Sequence, residues 1–196
     1  MDRRQIPQKR QELHRYRGSV SGRGRQADRP CNHPRVEATN GGGQEMGRVI
    51  RSYEEGDDIT PLVKEMTQDA INLFEGSAGN TGPSQFTDED AAKEVLGTEG
   101  TVASGRMSLT FAIEMMRRHF GADVFNHTGT VDLRFLRPVR PGDTITFGGK
   151  VTGTSKEANG SRISVDIEVK NQKGDTTGVG QASAIVPNAY LAPEDL

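Results

Sequence analysis

Residues 135–145 read F-L-R-P-V-R-P-G-D-T-I. Pro141-Gly142-Asp143 is turn chemistry, with proline fixing one φ angle and glycine free to take a positive one. On either side the apolar residues fall at every second position. Val131, Leu133 and Phe135 alternate upstream, and Ile145 and Phe147, then Val151, follow downstream. Ile163, Val165, Ile167 and Val169 repeat the pattern cleanly, and Ala182, Ala184 and Val186 close it. A period of two with polar residues between describes antiparallel strands with one buried face. Asn159-Gly160 is a hairpin signal, and Lys173-Gly174-Asp175 is a second turn. The second half of the chain therefore predicts a meander of four long strands.

Upstream the period is helical. After an extended segment at 47–53 and a turn at Glu-Glu-Gly-Asp-Asp, Thr67 is a plausible N-cap for a helix at 68–76. Ala70, Ile71, Leu73 and Phe74 give it an apolar face, and Gly76 and Gly79 break it. A second helix is expected over about 88–96, with Thr87 as N-cap, Asp90 pairing back to it, and Gly97 ending it. A third, over 105–120, carries Met107, Leu109, Phe111, Ala112, Ile113, Met115 and Met116 around most of its circumference. A helix that is apolar nearly all round is a buried one. Ser104 is its expected N-cap and Gly121 its C′ residue. Helices followed by an antiparallel sheet, with one helix buried, define an α+β architecture in which the sheet curls around that central helix.

At 196 residues the chain suits one domain with a tail. Residues 1–45 hold ten Lys/Arg against five Asp/Glu, few aliphatics and a Gly41-Gly42-Gly43 run. Such a segment buries too little surface to offset its ordering entropy and is expected to be disordered. It reads either as a basic arm for RNA or anionic membrane, or as an inert tail, or as sequence ahead of a true start at Met46. The segment is arginine-rich but has no apolar h-region, so it is not a secretory signal; Asp2 and Glu12 count against a transit peptide. Residues 46–196 hold fifteen basic against twenty-two acidic side chains, which argues against nucleic acid as the partner of the folded part. No apolar run is long enough to span a membrane. The single cysteine, Cys31, fits a reducing compartment such as the cytoplasm. No Cys/His cluster has metal-ligand spacing, no glycine-rich segment is placed to cradle phosphate, and no cofactor is implied. Asn159-Gly-Ser matches a glycosylation sequon, but the hairpin explains it better.

Three segments resemble one family. A-G-N-T-G-P-S-Q-F-T-D-E-D-A-A at 78–92 is similar to the pattern S-G-D-x-N-P-x-H-x-D-x-x-x-A. A-S-G-R-M at 103–107 is similar to A-H-G-x-x at the start of a central helix. F-L-R-P-V-R-P-G-D-T-I is similar to F-x-x-P-V-x-P-G-D-T-L. These are patterns of the MaoC-like, or (R)-specific enoyl-thioester hydratase, family of the hotdog fold, and the resemblance covers about 46–188. It implies addition of water across the double bond of an acyl thioester. A carboxylate and an imidazole five residues apart activate that water, and backbone N–H groups at the start of the central helix hold the thioester oxyanion.

The resemblance sets Asn80 at the carboxylate position, Gln85 at the imidazole position, Gly82 at the asparagine position and Ser104 at the histidine that opens the helix. Amides keep hydrogen-bonding geometry but do not titrate in the working range. Losing general acid–base help costs about two to four powers of ten in rate. Pro83 and Gly105 survive, so the loop shape and the oxyanion site are expected to be kept. The expected site is therefore Asn80 and Gln85 as amides that bind water or a carbonyl, the Gly105 N–H as oxyanion donor, and Ser104, Arg106 and Pro83 around them. Arg106 can pair with a carboxylate or a thioester phosphate, or stay solvated. Glu114 is either on an exposed strip or buried with a raised pKa. Asp88, Glu89 and Asp90 read as charge favourable to a helix N-terminus, and His119 as a cation near a helix end; His127 lies just beyond that end. The implied partner is a coenzyme A- or carrier-protein-linked acyl thioester. The implied assembly is a homodimer, or a heterodimer in which another hotdog chain supplies acid and base. Thioester hydrolysis is a further alternative.

Overall fold

The computed structural model describes residues 52–191; the tail expected over 1–45 lies outside the described residues, as do 47–51 of the extended start. Ser52 and Tyr53 make no strand. The first strand instead follows the Glu55-Gly56 turn, where Gly56 takes φ +97°. This strand, β1 (Asp58–Glu65), was hidden by Pro61, which cannot donate to a ladder. It is tolerated because β1 is an edge strand and its register shifts between Ile59 and Leu62, around the proline.

α1 (Gln68–Ser77) starts as expected, with the Thr67 hydroxyl accepting from the Ala70 N–H at 3.1 Å. α2 (Glu89–Leu96) is capped by Asp88, not Thr87: Asp88 Oδ1 accepts from the Ala91 N–H at 2.8 Å. Thr87 is unavailable because its hydroxyl is engaged with Ser84 Oγ at 3.1 Å. Gly97 ends the helix in the left-handed conformation, φ +68°. α3 (Gly105–Phe120) has the expected bounds. A short helix that the sequence pattern did not reveal, α4 (Ala122–Thr128), follows Gly121 and buries Phe125.

The strands β2 (Thr130–Phe135), β3 (Thr144–Glu157), β4 (Gly160–Lys170) and β5 (Thr176–Pro187) join β1 in one antiparallel sheet of order β1-β3-β4-β5-β2. The expected four-strand meander is therefore corrected. Only β3, β4 and β5 are successive neighbours, through turns at Ala158-Asn159 and Gln172–Gly174. β2 crosses to the far edge and pairs with β5. The reason lies in the deciding stretch itself. Pro138 and Pro141 interrupt the run of backbone donors a hairpin would need, so the chain leaves the ladder after Phe135 and re-enters it at Thr144.

α3 packs against β1, β2, β3 and β5, both edges of the sheet included. Met107, Ala112, Met115, Met116 and Phe120 are its buried side chains of apolar type, and they share one core cluster with Ile145, Phe147, Val165, Ile167, Val169 and Ala184 from the sheet. Phe111 meets Phe147 edge to face, ring centroids 5.9 Å apart. The helix is not apolar all round: Arg106, Thr110, Arg117 and Arg118 form an exposed strip. Glu114 sits at its margin, paired to Lys64 at 2.8 Å and to Arg118 at 2.6 Å. Burial pushes the Glu114 carboxyl up, but the hydrogen bonds and charges of Lys64 and Arg118 outweigh it and hold its pKa below the ordinary value. On β2 the alternation fades, with Val131 and Leu133 half-buried and Phe135 48% exposed at the rim.

β2 lies so close to β5 that a Cβ on Gly180 would clash with the Asp132 carbonyl oxygen. A backbone carbonyl cannot swing aside as a side-chain end can. Gly180→Ala should therefore cost about 1–3 kcal/mol, the usual range for overpacking, read as a lower urea midpoint at unchanged slope. An unchanged midpoint would mean that the β2–β5 edge yields freely.

Candidate active site

α1 carries two polar side chains, two turns apart, that reach across to other segments. Gln68 donates from Nε2 to the Phe86 carbonyl at 2.9 Å and accepts at Oε1 from the Thr101 hydroxyl at 2.5 Å. Seven residues on, Glu75 has no exposed surface. Its Oε1 accepts from the Ser104 hydroxyl at 2.5 Å, and its Oε2 accepts from Asn80 Nδ2 at 2.5 Å and from an Arg106 guanidinium nitrogen at 2.7 Å. The Asn80 N–H also bonds the Glu75 carbonyl at 2.9 Å, so the turn after α1 folds back on the helix. Through Gln68 and Glu75, α1 ties the 80–86 loop to the 101–106 segment.

Of the expected site residues, Asn80, Ser104 and Arg106 are thus brought together, on a carboxylate that the sequence reading did not include. Gly105 is between the last two. Gln85 is held by its main chain, whose carbonyl accepts from the Val102 N–H at 3.2 Å; its side-chain amide joins none of these contacts. Pro83 is exposed in the loop. The acidic residues of α2 serve the helix start, as Asp88 shows. His127 Nδ1 lies 2.6 Å from the Asp123 carbonyl within α4, and His119 Nδ1 accepts from the Thr60 N–H at 3.2 Å, so both belong to other parts of the fold.

A signal for Glu75 was present. It stands four residues after Ile71, which is fully buried, and so on the same helical face. A carboxylate on the apolar stripe of a helix must be paired or neutral. Burial pushes this carboxyl up; the hydrogen bonds from Ser104 and Asn80 and the charge of Arg106 outweigh burial and hold it below the ordinary Glu range. It is an anion that is neither basic nor reachable.

The N-terminus of α3 differs from expectation. Ser104 occupies the N-cap position, yet its side chain makes no cap bond, and its hydroxyl donates to Glu75. The first-turn N–H groups thus receive no side-chain cap. The segment entering the helix is fixed by the deciding stretch: the Ala103 N–H bonds the Val139 carbonyl at 2.8 Å. Arg140 donates to the carbonyls of Glu99 and Gly100 at 2.8 and 3.0 Å and to the Thr98 hydroxyl at 3.1 Å. Gly105 has no side chain because the Phe135 ring occupies that space; a Cβ there would lie 2.5 Å from the ring edge. Among the described residues no group of three His, Cys, Asp or Glu side chains could hold a metal ion, and no helix is long and apolar enough to cross a membrane. A surface depression lined by Asp58, Lys150, Asp166 and Lys170 lies on the outer side of β1, β3 and β4 and shares no residue with this cluster.

A five-stranded antiparallel sheet packed on one long helix, with a polar cluster at that helix's N-terminus, is a hotdog fold. The family description "MaoC like domain" matches residues 54–174, and the chain belongs to this MaoC-like dehydratase family. Similar solved structures include a monoamine oxidase regulatory protein from Archaeoglobus fulgius, at 26% identity and TM-score 0.58, over 68% of this chain and 90% of that one. The (R)-hydratase of A. caviae involved in PHA biosynthesis is similar at 18% identity and TM-score 0.57, over 70% of this chain and 99% of that one. The ChsH1–ChsH2 complex of Mycobacterium tuberculosis is similar at 15% identity and TM-score 0.56, over 68% and 98%. The last two likenesses speak to the fold alone. A comparison with curated proteins finds no match.

A carboxyl whose folded pKa is lowered stabilises the fold above its unfolded value, near 4.5, and loses that contribution as pH falls through the folded value. Glu75→Gln should therefore be less stable than wild type at pH 7 by about 1–3 kcal/mol. The gap should narrow as the pH drops below 4.5. Paired urea titrations at pH 7 and pH 3.5 check this; a gap that stays constant would show that the Glu75 charge adds nothing.

Proposed function

We propose that this chain binds an acyl thioester, linked to coenzyme A or to a carrier protein, in the MaoC-like site, and that the family's acid–base hydration is reduced or altered there. The observation that carries this reading is the engagement of Asn80. Its amide nitrogen donates to a buried carboxylate. An amide in that role neither takes a proton from water nor returns one. Gln85 is no base either, and Glu75, the one carboxylate in the cluster, has no exposed surface and a lowered pKa. What the site keeps is binding chemistry. The first turn of α3 offers the N–H groups of Gly105 and Arg106 and the positive end of a 16-residue helix to a thioester oxygen. Arg106, with 52% of its side chain exposed, stands beside that turn. The single cysteine, Cys31, supports a reducing compartment, and the chain is read as cytoplasmic.

A second reading, a non-catalytic subunit beside another hotdog chain, is favoured by one observation. Phe135 and Leu136 are both nearly half exposed at the end of edge strand β2, and Phe135 touches the position of Gly105. A chain docked there would sit next to the site and could supply acid and base. One of the similar structures is described as a complex, ChsH1–ChsH2.

The wild-type chain should bind butyryl-CoA in calorimetry while consuming crotonyl-CoA, followed by its enoyl-thioester absorbance, at least about a hundredfold more slowly than Asn80→Asp/Gln85→His variants that also carry Glu75→Gln. Glu75→Gln is included because an aspartate at position 80 would otherwise face a second carboxylate. No butyryl-CoA binding by wild type would overturn the reading. Wild-type turnover equal to the variants would overturn the loss of the dyad, and release of free thiol would replace hydration by hydrolysis.

A further inference from the structure

We infer that Glu75 is a positioning residue that sets the polarity of the thioester site, making Asn80 a hydrogen-bond acceptor towards the ligand. The inference rests on the thioester-binding reading above. It begins from an inventory of donors and acceptors. An ionised carboxylate only accepts. Glu75 is ionised, because the Arg106 guanidinium, which is always charged and can only donate, lies 2.7 Å from its Oε2. Asn80 must then turn its NH₂ group to Glu75, and its Oδ1 is left facing away. The orientation of this amide, ambiguous in most surroundings, is here fixed by charge. Asn80 is itself exposed, and its Oδ1 has no partner among the described residues.

The same carboxylate acts on the other side of the site. It holds the Ser104 side chain, whose hydroxyl donates to it, and α3 has no side-chain cap; the Met107 N–H bonds the Ser104 carbonyl at 3.0 Å, so the donors left at the helix start are the N–H groups of Gly105 and Arg106. The site therefore presents two opposite polarities, donors at the start of α3 and one acceptor at Asn80. An acyl thioester with a hydroxyl on its chain satisfies both, its carbonyl oxygen accepting from α3 and its hydroxyl donating to Asn80 Oδ1. A saturated chain offers nothing to Asn80. Discrimination between the two ligands is the property Glu75 controls.

In Glu75→Gln the neutral amide can donate as well as accept, so Asn80 is free to turn over. Calorimetry with 3-hydroxybutyryl-CoA and butyryl-CoA tests this. Wild type should favour the hydroxylated ligand by about three- to tenfold, the worth of one hydrogen bond. Glu75→Gln should bring the ratio of the two affinities towards one, whatever it does to butyryl-CoA binding itself, and Asn80→Ala should abolish the preference equally. Glu75→Asp, which keeps the charge but is shorter, should restore part of the preference. A preference that survives Glu75→Gln, or wild type with no preference, overturns the positioning role. If neither ligand binds wild type, the thioester reading falls instead. The positioning role is then decided by NMR on the wild-type chain, which also serves if Glu75→Gln does not fold. The Asn80 side-chain amide resonance, assigned by its loss in Asn80→Ala, should titrate with Glu75 below pH 4.5. A resonance unmoved across that range would refute it.

Discussion

A single buried anion organises the functional end of this fold. Taking a carboxylate out of water costs several kcal/mol, and the cost is recovered only if its lone pairs are filled. Glu75 gathers three donors for that purpose, from the turn after α1, from the N-cap of α3 and from the first turn of α3. Bonds of this charge-assisted kind contribute about 1.5–3 kcal/mol each, so all three are needed to balance the burial. The contributions are unequal. Ser104 is buried with the carboxylate, whereas half of Arg106 is exposed and its charge is screened by solvent. The hydroxyl and the amide therefore hold the anion more firmly than the formal ion pair does. The requirement to satisfy Glu75 fixes the distance between α1 and α3, and the 80–86 loop is held in the span between them.

The stretch 135–145 acts from the opposite side. Its two prolines send β2 across to pair with β5, and the crossing carries Val139 and Arg140 under the segment that enters α3. The Val139 carbonyl and the Arg140 guanidinium satisfy backbone groups of residues 99–103 that have no helix or strand to serve them. Topology and site are thus linked: the connection that breaks the meander also sets the backbone at the start of the central helix. Phe135, at the end of β2, closes over Gly105, which only a residue without a side chain allows.

Much of this was legible in order of residues. Strict alternation in β4 and β5, the Asn159-Gly160 turn and the bounds of α3 follow from periodicity and capping, which are local. The hotdog fold and the MaoC-like family followed from the three motifs. What escaped was decided by contacts distant in sequence. β1 was obscured because Pro61 is tolerated only where an edge and a bulge coincide. The cap of α2 moved from Thr87 to Asp88 because Ser84 claimed the threonine hydroxyl. β2 reads as part of the meander because no local pattern states which edge a strand will join. Glu75 was passed over because a glutamate in a helix is ordinarily solvated, and only its spacing from Ile71 marked it as facing inward.

The amide at position 80 and the carboxylate at position 75 are best understood as one coupled feature. Two carboxylates at hydrogen-bonding distance cannot both ionise in a buried site. With Glu75 anionic, the residue that touches it has to be a donor, and asparagine is the nearest isostere of aspartate that donates. The cluster thus retains a carboxylate, but at a place without solvent access and at a pKa too low for proton transfer near neutrality. Restoring an aspartate at position 80 would not by itself restore a base, because its proton would be shared with Glu75. The chemistry of this site is set by where its one negative charge resides.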